Sequence, residues 1–112
     1  MKFLLEGNPQ STNHIYLHGG RRVYMTSAGS ALKTDYQYQL KNQYKGSPLN
    51  GDIKVKIILF FGDKRKRDVD NYNKIVLDAC SKILWEDDCQ IQSLLIEKNY
   101  DKEYPRVELY II

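Results

Sequence analysis

The chain has 112 residues, 42% hydrophobic and 28% charged, with a formal net charge of +3. This is the composition of a soluble globular protein, and the length suits one domain, 1–112, with one modest core. A balance of +3 is too small to argue for a nucleic-acid partner by itself, and no apolar run approaches the roughly 20 residues needed to cross a bilayer.

At the N-terminus only Phe3, Leu4 and Leu5 precede Glu6. That is too short for the apolar core of a secretion signal, so a cytoplasmic location is expected. Lys2 to Leu5 reads as a short first strand. Gly7 to Gly20, polar and rich in Gly, Asn and Ser, reads as a loop. His14 and His18 lie four apart within it, but no cysteine or third histidine completes a zinc set, so neither is read as a ligand. Arg21 to Met25 reads as a brief extended piece.

Thr26 or Ser27 is the expected N-cap of a helix running to about Tyr44. Ala28, Leu32, Tyr36 and Leu40 recur at i+4 along it as one buried stripe. Gly46-Ser47-Pro48 ends this helix, and Asn50-Gly51 signals a turn. Ile53, Val55, Ile57, Leu59 and Phe61 then alternate with Lys54, Lys56, Ile58 and Phe60, the period of a strand. Beyond Gly62 and a charged loop lies the strongest helical pattern in the chain. It is expected to begin near Asp70 or Asn71 and carries Tyr72, Ile75, Val76, Ala79, Cys80, Ile83 and Leu84 on one apolar face. A strand from about Gln90 to Lys98, a turn at Tyr100–Tyr104 and a last strand over Arg106–Ile112 complete the chain. In the last strand Val107, Leu109 and Ile111 point inward. Cys80 and Cys89 form no CxxC pair and read as buried or half-buried free thiols.

These elements predict an α+β fold, a small mixed sheet packed against two main helices. The helical connection could make the strands at 53–61 and 90–98 parallel neighbours. In that arrangement the acidic cluster Glu86-Asp87-Asp88 and Asp70 start from opposite ends of the sheet, unless the chain folds back between them.

The segment with most chemical content is Lys64-Arg65-Lys66-Arg67-Asp68-Val69-Asp70-Asn71. Four cations abut two carboxylates one residue apart, and the acidic cluster at 86–88 follows one helix later. Asp70, Lys74 and Asp78 recur at i+4 and share a polar face, with Asn71 three residues before Lys74. Two readings account for this. In one, Asp70 is a helix N-cap, Lys74 and Asp78 form a surface pair, and the basic run is a solvated turn. In the other, the cations grip a phosphate backbone while the carboxylates hold Mg²⁺, a hard cation that prefers oxygen ligands and keeps several waters. Such an ion lowers the pKa of bound water and stabilises charge on phosphate, and a nearby lysine adds to that stabilisation. An EF-hand loop fits poorly, because Tyr72 and Asn73 stand where a ligand and the turn glycine are required.

The same residues carry a resemblance. Arg67-Asp68-Val69-Asp70-Asn71-x-x-Lys74, then Asp78-Ala79, then Trp85-x-Asp87-Asp88-x-Gln90-Ile91, resembles the RusA family of Holliday junction resolvases. Gly7-Asn8-Pro9-Gln10-Ser11-x-Asn13, Tyr16, Arg22 and Thr26 fit more loosely, so the resemblance covers nearly the whole chain. It implies a small homodimeric endonuclease, often of phage or prophage origin. Such an enzyme binds four-way DNA junctions and, with Mg²⁺ or Mn²⁺, cuts two strands symmetrically in DNA recombination or repair. Carried over by position, Asp68, Asp70 and Asp88 would be the metal ligands and Lys74 the catalytic lysine. Lys64, Arg65, Lys66 and Arg67 would contact DNA, with Asn71, Asp78 and Asp87 in supporting roles. The N-terminal half departs more from the family, with a Gly7-Asn8-Pro9 start where others carry more prolines, so the resemblance implies nuclease chemistry more firmly than junction preference.

Overall fold

The computed structural model describes residues 1–20 and 22–112. In chain order the elements are β1 (Lys2–Glu6), α1 (Thr12–Ile15), β2 (Tyr16–Gly19), β3 (Arg22–Met25), α2 (Ser27–Gln43), β4 (Ile53–Phe61), a 3-10 turn (Val69–Asn71), α3 (Lys74–Cys80), a second 3-10 turn (Asp88–Gln90), β5 (Ile91–Tyr100) and β6 (Arg106–Ile111). Four strands form one mixed sheet in the order β1-β6-β4-β5. β6 is antiparallel to both β1 and β4, while β5 is parallel to β4. The expected α+β class and the parallel pairing are both present.

The sheet turns one face to the helices. Phe3 and Leu5 of β1, the odd-numbered residues Ile53 to Phe61 of β4, and Val107, Leu109 and Ile111 of β6 are buried there against Tyr36, Leu40, Ile75, Val76, Ala79 and Trp85. The opposite face is polar. On it Glu108, only 7% exposed, accepts from Arg106 Nε at 2.8 Å and from the Tyr110 hydroxyl at 2.7 Å, with Lys2 at 3.6 Å. Burial pushes the Glu108 carboxyl up, but these hydroxyl and cationic partners more than offset that and leave it lowered.

The two edges of the sheet differ. At the β1 edge, side chains of α2 replace a missing strand. Gln43 accepts from Leu4 N–H at 2.8 Å and donates to Leu4 C=O at 2.7 Å, and Gln39 accepts from Glu6 N–H at 2.8 Å. The outer edge of β5 has no neighbouring strand and exposes Leu94 and Leu95.

Several expectations change. The stretch from Gly7 to Gly20 is not all loop: it contains α1, capped by the Ser11 side chain on Asn13 N–H at 3.2 Å, and β2, which forms a hairpin with β3. His14 lies in α1 and His18 in β2, both exposed. The hairpin was hard to see because Leu17, Val23 and Tyr24 are exposed, so no burial alternation marks it. Arg21, placed at the start of the extended piece, lies outside the described residues. Helix α2 begins as expected, with Thr26 Oγ1 accepting from Gly29 N–H at 2.9 Å. Its stripe starts one residue later than predicted: Ala28 is exposed and Gly29 is buried. A Cβ at Gly29 would come within 2.8 Å of the Ile15 carbonyl oxygen, so glycine lets α2 approach the end of α1.

The largest correction concerns α3. The apolar pattern predicts a helix from about Asp70 to Leu84, but α3 spans only Lys74–Cys80. Asp70 lies in the preceding 3-10 turn and is not the N-cap; Asn73 is. The helix stops because Ser81 is extended and Lys82 takes φ +74°, reversing the chain. Leu84 and Trp85 still reach the core after this reversal, at 1% and 0% exposure, which is why the helical period continued past the helix end. Cys80 is buried and Cys89 exposed, both as free thiols. Cys89 departs from the expectation of burial because it sits on the outer side of the second 3-10 turn.

Candidate active site

The chain reversal after α3 brings the two acidic segments together. β4 delivers the chain to the basic loop and the first 3-10 turn. α3 then runs back across the sheet, and the turn at 81–85 returns the chain to the start of β5. Backbone bonds from Leu49 N–H to Leu84 C=O (2.8 Å) and from Lys82 N–H to Trp85 C=O (2.6 Å) fix that return. As a result Asp70, Asn71, Lys74, Asp78 and Asp88 line one cleft of about 350 Å³. Thr12 lines it too, its hydroxyl donating to Asn71 C=O at 2.7 Å and tying α1 to the 3-10 turn.

The acidic residues at this end have different environments. Asp88 accepts from the indole N–H of buried Trp85 at 2.7 Å, which aims one carboxylate oxygen and leaves the other available. Asp87 instead caps the second 3-10 turn, accepting from Cys89 N–H at 2.9 Å, while the Gln90 side chain accepts from Asp87 N–H. The Cys89 backbone N–H holds the Asp87 carboxyl below the usual carboxylate range. Asp70 is exposed and its side chain has no hydrogen bond or ion pair among the described residues. Asp68 likewise makes no cap bond, and it sits outside the lining of the cleft on the extended residue before the turn.

Lys74 lies 3.2 Å from Asp78 Oδ2, with its ammonium 4.8 Å from the centre of the Tyr16 ring. The Tyr16 hydroxyl donates to the same Asp78 oxygen. Burial, and then the Asp78 carboxylate, push the Tyr16 hydroxyl pKa well above its ordinary value, so it remains a donor.

The basic loop is partly self-satisfied. Arg67 Nη2 pairs with Asp63 at 2.8 Å, and its guanidinium lies over the Phe61 ring at 4.2 Å, leaving the side chain 17% exposed. The Arg65 backbone N–H first, and then Arg67, hold Asp63 below the usual range. Lys98 Nζ donates to Arg67 C=O at 2.9 Å, and Lys64 sits 4.9 Å over the Tyr100 ring. Arg65 and Lys66 point outward, with the Arg65 side chain 83% exposed. The loop therefore presents Lys64, Arg65 and Lys66 to solvent, with Arg67 as its internal brace.

Among the described residues no three His, Cys, Asp or Glu side chains form a preassembled metal cage. The donors in the cleft are the carboxylates of Asp70 and Asp88, a third carboxylate, Asp78, already engaged by Lys74 and Tyr16, and the amides of Asn71 and Asn73, without thiol or imidazole. That set fits Mg²⁺, which is commonly held by one or two carboxylates together with substrate phosphate and water. Sequence reasoning gave no site role to three contributors: Tyr16 and Trp85, named only as positions of the family resemblance, and Asp63, which carried no signal.

Comparison with known proteins agrees with this geometry. Residues 6–112 match the family described as endodeoxyribonuclease RusA. The crossover junction endodeoxyribonuclease RusA of Escherichia coli K12 is 31% identical over 104 residues, covering 92% of this chain and 87% of the relative. The enzyme of the same name from Enterobacteria phage 82 is 30% identical over the same coverage. With a family match over nearly its whole length and relatives 31% identical over 92% of it, this chain belongs to the RusA family of endodeoxyribonucleases.

Proposed function

We propose that this chain, 1–112 acting as one nuclease domain, is a Mg²⁺-dependent endonuclease that resolves four-way DNA junctions by paired symmetric nicks. The observation that carries the reading is the convergence of Asp70, Asp88 and Lys74 on one cleft, beside a loop of outward-facing cations. Asp70 and Asp88 would hold the ion, with Asp68 on the same loop as third ligand; Mn²⁺ would substitute. When bound, the ion supplies Lewis-acid charge at the scissile phosphate and a water of lowered pKa.

The chain's own groups do the rest. Lys74 neutralises charge developing on the phosphoryl oxygens and can donate a proton to the leaving oxygen. Lys64, Arg65 and Lys66 grip flanking phosphates, which makes affinity depend on salt. Arg67 keeps that loop in shape from within and completes its positive surface. Asn71 fixes the floor of the site through its bond from Thr12, Asp78 holds Lys74, and Asp87 holds the turn that presents Asp88.

Two symmetric nicks in a substrate of near two-fold symmetry call for a two-fold homodimer. The unpaired outer edge of β5, with Leu94 38% and Leu95 50% exposed, supports such an assembly, because an uncovered edge strand invites pairing. A solution mass of one chain by light scattering would remove the dimer from the account. The substrate and the phage-encoded relative support action in the cytoplasm of a bacterial host, on recombination, repair or phage DNA.

The test is cleavage of an end-labelled synthetic four-way junction beside a linear duplex of the same sequence, in Mg²⁺ and in EDTA. Symmetric nicks confined to the junction and to Mg²⁺ are expected. Equal cutting of both substrates would leave a less selective nuclease, and binding without cutting a junction-recognition protein.

A further inference from the structure

We infer that Tyr16 is a positioning residue of the active site: through Asp78 and through its own ring face it holds the Lys74 ammonium at the cleft. The inference rests on the reading of Lys74 as the catalytic lysine and extends it to a residue that lies far from the acidic motif in sequence.

Lysine is a point charge on a flexible four-carbon stem, and the Lys74 side chain is 53% exposed, so nothing in α3 alone would fix where its ammonium sits. The pair with Asp78 does not explain the arrangement as helix stabilisation. It runs with the cation N-terminal to the acid, the weaker orientation of an i,i+4 pair, on a helix of seven residues. What distinguishes it is the third member. One oxygen, Asp78 Oδ2, accepts from both the Lys74 ammonium and the Tyr16 hydroxyl. The hydroxyl thereby fixes the carboxylate, and the carboxylate fixes the ammonium. The ring of the same tyrosine lies 4.8 Å from that ammonium, a cation–π contact from a second direction.

Tyr16 is itself anchored on several sides. It is 9% exposed and closes α1 with its backbone N–H on Thr12 C=O. It also pairs with Met25 across the hairpin. The adjoining Ile15 carbonyl accepts from Thr26 N–H at 2.7 Å, at the start of α2. Structure near the N-terminus thus reaches the catalytic cleft at two points, Tyr16 on Asp78 and Thr12 on Asn71. A phenylalanine would fill the same apolar space; among the described residues the hydroxyl has no partner but Asp78, so its role is tied to that carboxylate.

The experiment is a double-mutant cycle read by single-turnover cleavage of a four-way junction and, separately, by junction affinity in Ca²⁺. Tyr16→Phe is expected to slow cleavage about tenfold or more, the scale of losing a group that orients an active-site residue, with affinity unchanged. In a Lys74→Ala background the same substitution should cost nothing further. Asp78→Ala, which breaks the chain of contacts from the exposed side of α3, must show the same pattern. Wild-type cleavage by Tyr16→Phe, or an equal loss in the presence and absence of Lys74, overturns the inference alone. Wild-type cleavage by Lys74→Ala overturns the reading of Lys74 and the inference with it.

Discussion

Two sets of carboxylates in this molecule have opposite surroundings. Asp63, Asp101 and Glu108 are saturated from within. Asp63 takes Arg67 and the Arg65 N–H, Asp101 takes Arg106 at 2.7 Å and two backbone N–H groups, and Glu108 takes Arg106, Tyr110 and Lys2. In the cleft, Asp78 is held by Lys74 and Tyr16, but the other two acids lack such partners: Asp70 has none among the described residues and Asp88 has one, Trp85. Exposed acids such as Asp52 are unpartnered too, but Asp70 and Asp88 share one cleft, and we propose that they are left there for a ligand. Lys74 in the same cleft is paired with Asp78 and with neither of these acids, so Asp70 and Asp88 repel one another, and a bound divalent ion would relieve that cost. We propose that fold stability and chemistry fall to different acids, which should then respond to substitution in different ways.

The sharpest break of this comparison is Asp70→Asn. It is expected to lower cleavage by about three orders of magnitude or more while leaving fold and junction binding intact, as loss of a group acting on the transition state does. Gel retardation beside cleavage measures both, and retained cleavage would move Asp70 into the structural set. Next, Lys74→Ala should slow cleavage about a hundredfold with affinity changed far less. Matching losses in rate and affinity would make it a DNA grip.

Glu108→Gln probes the other set. Arg106 keeps Asp101 but loses its second acid, and Lys2 loses its partner, which should cost about 2 kcal/mol of folding stability, with normal single-turnover cleavage by the folded enzyme. The pH dependence follows in sign. Asp63, Asp101 and Glu108 have lowered folded pKa values, so their contribution is full above the ordinary carboxylate range and is lost as pH falls through the folded values. Thermal melting should fall on acidification below about pH 4, and less steeply in Glu108→Gln. The smallest effect is that of Arg65→Ala. As one outward cation it should reduce the salt dependence of junction binding by about one unit of slope, at any DNA sequence. An unchanged slope would place the DNA path elsewhere.

Much of this was legible in the residues. β4 and β6 declared themselves because their apolar residues recur with period two, and α2 did so through its Thr26 cap and its stripe at Leu32, Tyr36 and Leu40. The acidic and lysine positions were readable because they lie within one short span. What failed had physical causes. The α1–β2–β3 region is short and exposes apolar side chains, so periodicity carries no signal there. The end of α3 was overrun because Leu84 and Trp85 return to the core after a left-handed residue, Lys82, that composition does not reveal. Tyr16 and Asp63 were invisible as site residues because each acts through a neighbour distant in the chain or hidden in the charge run.

The most direct test of the division between the two sets is Mn²⁺ binding to the free protein, followed by electron paramagnetic resonance, for wild type, Asp70→Asn, Asp88→Asn and Asp63→Asn. The account predicts bound Mn²⁺ in wild type and Asp63→Asn, and loss of it in both Asp70→Asn and Asp88→Asn. Undiminished binding in the two cleft variants, or loss in Asp63→Asn alone, would contradict it.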